Sequence, residues 1–213
     1  ERVKRQVREI HVKLFYRPLL SAVATLPEDG RSLSAAQAHE RLAAIGFADP
    51  AGALGHVAAL TSGISRRAAI QRHLMPVLLQ WFSEGVDPDY GLLAYRRIGE
   101  KLGDTSWFLR LLRDSTAAAE HLTHILSASR YVADLIEMLP ESVAWLDQSE
   151  QLVPRSGVAL QDEARAIQDR HVTVDGAMRA VRALRRRELL RIAMASMLDL
   201  LTREQQSIAL TAV

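Results

Sequence analysis

The sequence has 213 residues, 48% of them hydrophobic, 24% charged and 5% aromatic, with no cysteine and a formal net charge of +2. That is enough apolar material for one large or two small cores, and the lack of cysteine excludes a disulfide scaffold, thiol catalysis and thiolate metal sites. A reducing, cytoplasmic setting is expected, because no apolar run approaches the ~20 residues of a membrane helix and the charged residues 1–8 do not open a signal sequence.

Taken in chain order, glycine and proline punctuate long stretches of 3.6-residue periodicity, which predicts helix throughout and no sheet. Val3, Val7, Ile10 and Leu14 form one apolar stripe, with Arg2, Lys4, Arg5, Arg8 and Lys13 on the other faces and Pro18 ending or bending the helix. Ser34 and Gln37 have capping-box spacing, and Gly46 supplies a left-handed stop. Asp49-Pro50 starts the next helix, with an acceptor at the N-cap and a fixed φ in the first turn. Residues 65–84 form another, in which Pro76 is expected to kink or divide the helix.

A cluster of Gly85, Pro88 and acidic residues near 85–90 marks a soft domain boundary, separating residues 1–88 from 89–213. Beyond it, Leu92, Leu93, Tyr95, Ile98 and Leu102 predict a helix stopped by Gly103, and Thr105 or Ser106 caps the stretch 107–113. Helices at 117–126 and 129–139, a short turn at Pro140 and a polar loop over 147–157 follow. A helix over 159–171 precedes the longest one, 175–201, with a core stripe of Met178, Val181, Leu184, Ile192 and Met197. The fold class is therefore all-α, an irregular multi-helix array of two bundles. The related strings Gly46-Phe47-Ala48-Asp49-Pro50 and Gly85-Val86-Asp87-Pro88 do not recur at a constant period, so a regular solenoid is disfavoured.

Little in the chain carries recognisable chemistry. His121 and His124, with Glu120, have half of a metal-site spacing but lack the Glu-x-x-His and His-Glu-x-x-His patterns of helical metal centres. No glycine-rich phosphate loop and no nucleophile elbow is present. Asp87-x-Asp89 has the carboxylate spacing that holds Mg²⁺ in nucleotidyl transfer, yet it spans a proline and reads as helix capping. Charge is distributed more tellingly: residues 1–24 sum to +4, 176–191 to +5 and the remainder to −7. Arg179, Arg182 and Arg186, at i, i+3 and i+7, form a basic ridge suited to phosphates or to acidic residues of a partner. Aromatic residues do not interleave with it, which disfavours a single-strand nucleic-acid surface.

Four strings occur in order: Leu92-Leu93-Ala94-Tyr95-Arg96-Arg97-Ile98, Leu109-Arg110-Leu111-Leu112-Arg113-Asp114, Ser127-Ala128-Ser129-Arg130-Tyr131-Val132-Ala133 and Arg185-Arg186-Arg187-Glu188-Leu189-Leu190-Arg191-Ile192-Ala193. With 13–20 and 62–67, they resemble the bifunctional glutamine synthetase adenylyltransferase and adenylyl-removing enzymes of high-GC Gram-positive bacteria, over roughly residues 1–205. The resemblance implies a central region, with residues 1–88 closing the adenylyl-removing half and 89–213 preceding the adenylyl-transferring catalytic domain. It implies ATP and Mg²⁺ at flanking domains, and glutamine synthetase and a PII-type signalling protein as partners of the parent. No position matches the family's Gly-Ser loop and paired aspartates, so no catalytic, cofactor or metal residue is assigned and the region itself is expected to be inactive. Glu1 in place of Met agrees with a processed product or an excised piece. A stand-alone helical adaptor is the first alternative and a basic-helix nucleic-acid binder the second.

Overall fold

The computed structural model describes residues 35–103 and 105–213. The first predicted helix, His11, the bend at Pro18 and the Ser34 half of the capping box lie outside them. Among the described residues every regular element is helical and none is a strand, as the 3.6-residue periodicity predicts. The described residues up to Ala133 group into one compact unit, and Asp134–Val213 form a second.

The first unit begins with α1 (Ala35–Ala44), α2 (Pro50–Thr61), α3 (Arg66–Ser83) and α4 (Pro88–Leu102). It continues through α5 (Ser106–Asp114), α6 (Thr116–Ala128) and the start of α7 (Arg130–Met138). α1 ends in a Schellman motif, with Phe47 N–H donating to the Leu42 carbonyl at 3.1 Å and Gly46 N–H to Ala43 at 3.1 Å. Gly46 takes φ +104°, and buried Phe47 follows it. Asp49, Ser65, Asp87 and Ser115 each cap a following helix by accepting a first-turn amide. Thr105 occupies the same position before α5 without a side-chain capping bond. Arg72 closes the other end of α2, its Nη1 donating to the carbonyls of Thr61 at 2.7 Å and Gly63 at 2.8 Å.

α3 runs unbroken through Pro76, which is buried within it; of the two expected outcomes, a kink or a division, the division does not occur. Proline removes one ladder bond but leaves the flanking turns intact when both are packed. Here Met75, Leu78 and Leu79 are all buried. α4 packs against α2, α3 and α6, with the Phe82 and Tyr95 rings edge to face at 6.0 Å. Tyr95 O–H donates to Gln71 Oε1 at 3.0 Å, and burial pushes its phenol well above the ordinary range. The stretch 85–90 lies inside this unit, where Asp87 N–H donates to the Ser127 carbonyl of α6 at 2.9 Å.

The second unit holds 3₁₀ segments Pro140–Asp147 and Ser149–Leu152, then α8 (Gly157–Arg170), α9 (Val174–Met197) and α10 (Arg203–Thr211). The polar loop expected over 147–157 thus contains a 3₁₀ turn, because Leu152, 2% exposed, is drawn inward. Leu160, Ile167 and Leu184 form an apolar cluster with Ala164, Ala180, Val181, Ala212 and Val213. Met178, expected in the core stripe, is exposed.

α9 ends at Met197, four residues before the expected limit, because Asp199 adopts φ +54°. Leu200 N–H then reaches the Ala195 carbonyl at 2.9 Å and Asp199 N–H that of Ser196 at 3.2 Å. This is a second Schellman turn, with aspartate where glycine is usual. Asp199→Gly is expected to raise stability by about 0.5–1 kcal/mol by relieving the left-handed backbone. Urea denaturation measures it, and a destabilised variant would contradict it. α10, opened by a Thr202–Gln205 capping box, has no counterpart among the predicted elements.

Candidate functional site

The carboxylates of Asp87 and Asp89 tie helix starts together. Asp87 Oδ1 accepts Tyr90 N–H at 3.1 Å, and its Oδ2 receives Arg130 Nε at 2.8 Å and Nη2 at 2.6 Å. Asp89 Oδ2 accepts Ala48 N–H at 2.7 Å and Oδ1 accepts Asp49 N–H at 3.0 Å. The two Asp-Pro steps therefore meet, with one carboxylate of the second holding the backbone of the first. All four oxygens already have donors, an arrangement suited to capping and unsuited to a divalent cation. No group of three His, Asp or Glu among the described residues could hold a metal, and His121 and His124 gain no third ligand. His56, on α2, is held below the usual histidine range by burial, with Arg96 adding to the effect.

The ridge on α9 is built from the helix start upward. Thr173 caps it by accepting Gly176 N–H at 3.2 Å, and Asp175 lies in the first turn. From there Arg179, Arg182 and Arg186 are exposed, with no salt-bridge partner among the described residues. Arg185 is likewise exposed. The structure thus keeps the three predicted ridge residues together and available.

The remaining arginines of the helix are structural, a distinction that charge counting misses. Arg187 Nη2 donates to Glu163 Oε1 on α8 at 2.8 Å, and Arg155 donates to Oε2 of the same carboxylate. The Arg155 hydrogen bond, then that of Arg187, holds the Glu163 carboxyl below its ordinary range, against an opposing effect of burial. Arg191 Nε lies 3.2 Å from Glu188 Oε2, and its guanidinium lies 4.5 Å above the Trp145 ring. Glu188 is 1% exposed. Its burial is legible only as a helical position one turn before Ile192; nothing in the composition distinguishes it from a solvated glutamate.

Residues 119–213 match the family model described as glutamate-ammonia ligase adenylyltransferase. The chain is 56% identical, over 99% of its length, to the bifunctional glutamine synthetase adenylyltransferase/adenylyl-removing enzyme of Leifsonia xyli subsp. xyli, covering 22% of that protein. The chain belongs to this family. It is 50% identical to the Streptomyces coelicolor enzyme of the same name over 95% of the chain and 20% of that protein. It is 43% identical to the one from Nocardia farcinica over 98% of the chain and 21% of that protein. The chain thus spans about a fifth of the length of the curated relatives it matches. No solved structure matches it. No helix among the described residues is long and apolar enough to cross a membrane.

Proposed function

We propose that this chain is the central helical connector of an enzyme that attaches AMP to glutamine synthetase and removes it, and so regulates nitrogen assimilation. Residues 1–88 close the adenylyl-removing half, and 89–213 precede the catalytic domain of the transferring half. On this reading α4 to α6 pack with α1 to α3 and bind the end of one half to the beginning of the next. ATP and Mg²⁺ act at the flanking cytoplasmic catalytic domains, and the connector itself transfers no AMP. Glutamine synthetase and a PII-type protein are the partners of the parent.

The observation that carries the reading is the fate of the paired aspartates. A chain matched over 99% of its length by a named adenylyltransferase uses Asp87 and Asp89 to hold backbone amides and an arginine. They support helices where a catalytic pair would bind a metal. The exposed arginines of α9 then face a flanking catalytic domain or the acidic surface of a partner. In the full-length enzyme, Arg182→Glu with Arg186→Glu is expected to change the glutamine response of transfer relative to removal at least several-fold, without loss of helical circular dichroism. Unchanged transfer, removal and glutamine response would overturn the ridge's role.

A further inference from the structure

A groove of about 540 Å³ in the first unit is lined by Arg66, Ser106, Leu109, Arg110 and Arg113. Arg66 is the first residue of α3 and Ser106 the first of α5, and neither first turn contains an acidic residue. Helix starts carry partial positive charge from their unsatisfied amides and ordinarily attract Asp or Glu. α3 instead opens on Arg66-Arg67, adding cationic side chains to a positive helix end. At α5, Thr105 provides no side-chain cap for the first-turn amides.

Arg110 and Arg113 follow Ser106 by four and seven positions and share its face of α5. Leu109, 7% exposed, supplies an apolar wall. Arg110 commits Nε to the Ser106 carbonyl at 3.3 Å, and Arg113 donates Nη2 to Asp114 Oδ2 at 2.6 Å. Arg66 forms no salt bridge among the described residues. Among the described residues, three guanidinium groups thus gather with one carboxylate, that of Asp114. Its pKa is lowered chiefly by the Arg113 hydrogen bond, and Arg110 and Arg66 add to the effect. Arg66 stands at a positive helix end, and like charges gathered in one groove repel one another, a repulsion that a doubly negative ligand with several oxygens relieves.

We propose that this groove binds a phosphate group, with Arg66 and Arg110 as guanidinium donors and the Ser106 hydroxyl as a further partner. A dianion matches the excess of two positive charges among the described residues, and tetrahedral oxygens accept donors arriving from two helices. The volume also leaves room for a nucleotide, with Leu109 offered to its apolar part. Free phosphate and a nucleotide present the same chemistry, and titration distinguishes them.

The test is calorimetric titration of the 213-residue chain with inorganic phosphate, tripolyphosphate and Mg²⁺-free ATP, at ionic strength held constant with NaCl. Saturable one-to-one binding is expected, weakened at least about tenfold by Arg66→Ala with Arg110→Ala, the loss expected for removing charged hydrogen bonds. Asp114→Asn, which releases Arg113, should tighten binding, whereas Asp162→Asn, which releases Arg165 on α8, should not. Arg165→Ala with Arg170→Ala, both exposed on α8, removes the same charge elsewhere and should leave binding unchanged. ATP binding tighter than tripolyphosphate identifies a nucleotide site; equal binding identifies a site for phosphate alone. Absence of saturable binding, or equal weakening by the two arginine pairs, overturns the proposal, with circular dichroism showing that each variant is folded.

Discussion

Arg191→Met is expected to destabilise the chain by about 3–5 kcal/mol, the range for stranding one member of a buried ion pair. Glu188 is 1% exposed, and Arg191 Nε lies 3.2 Å from its carboxylate. The methionine retains much of the arginine's apolar stem, so the loss reports mainly the uncompensated charge. Arg187 is a poor substitute: its Nε lies 3.9 Å from Glu188, and its Nη2 is committed to Glu163. Replacing both partners, Arg191→Met with Glu188→Leu, should recover most of the loss, because no charge is then left buried. Urea denaturation followed by circular dichroism gives the free energies. Trp145 supplies a local signal, since the cation above its ring disappears. A single variant within about 1 kcal/mol of the parent would show that the pair is solvated.

Gly85→Ala should be nearly as damaging, at about 3 kcal/mol, the upper range for overpacking a well-packed site. A methyl there would overlap the Ser127 hydroxyl and Cβ and lie 3.2 Å from the Phe82 carbonyl. Ser127 cannot turn away without cost, because it is 1% exposed and its Oγ donates to the Thr123 carbonyl at 2.9 Å. Nor can the backbone retreat freely, since Asp87 N–H bonds the Ser127 carbonyl and Asp87 caps α4. Ser127→Gly in the same chain is expected to restore much of the stability by making room. Gly55→Ala, in α2 with nothing within 4 Å of the added carbon, should be neutral or slightly stabilising. If thermal melts place Gly85→Ala and Gly55→Ala together, the close approach of α6 to residue 85 is wrong.

Local signals in the sequence were strong where one residue's side chain answers its own backbone. Asp49 and Asp87 as caps, and Gly46 as a stop, are short-range chemistry and appear as expected. Pro76 does not divide α3, because propensity treats the helix as isolated while α3 is packed by α2, α4 and α6. The early end of α9 was missed because Asp199 rather than glycine takes the left-handed turn. The ridge was legible because spacing alone sets which residues share a helix face. Its division from Arg187 and Arg191 was not, because that depends on Glu163 and Trp145, which lie far away in sequence. For the same reason the groove required both Arg66 and Arg110, residues on different helices.

The split of α9 into exposed and anchored arginines has a mechanical consequence. Its 24 residues extend about 36 Å at 1.5 Å per residue, and its ionic attachments to Glu163 and Trp145 begin only at Arg187. The stretch bearing Arg179, Arg182 and Arg186 is itself gripped on its inner side, where Ala180, Val181 and Leu184 pack against α8. A force applied to those arginines is borne by the apolar contacts with α8, the Arg187–Glu163 bond and the Arg191 stack before it reaches the turn at Asp199. Loosening the two ionic attachments alone would leave the apolar grip of α8 on this stretch in place.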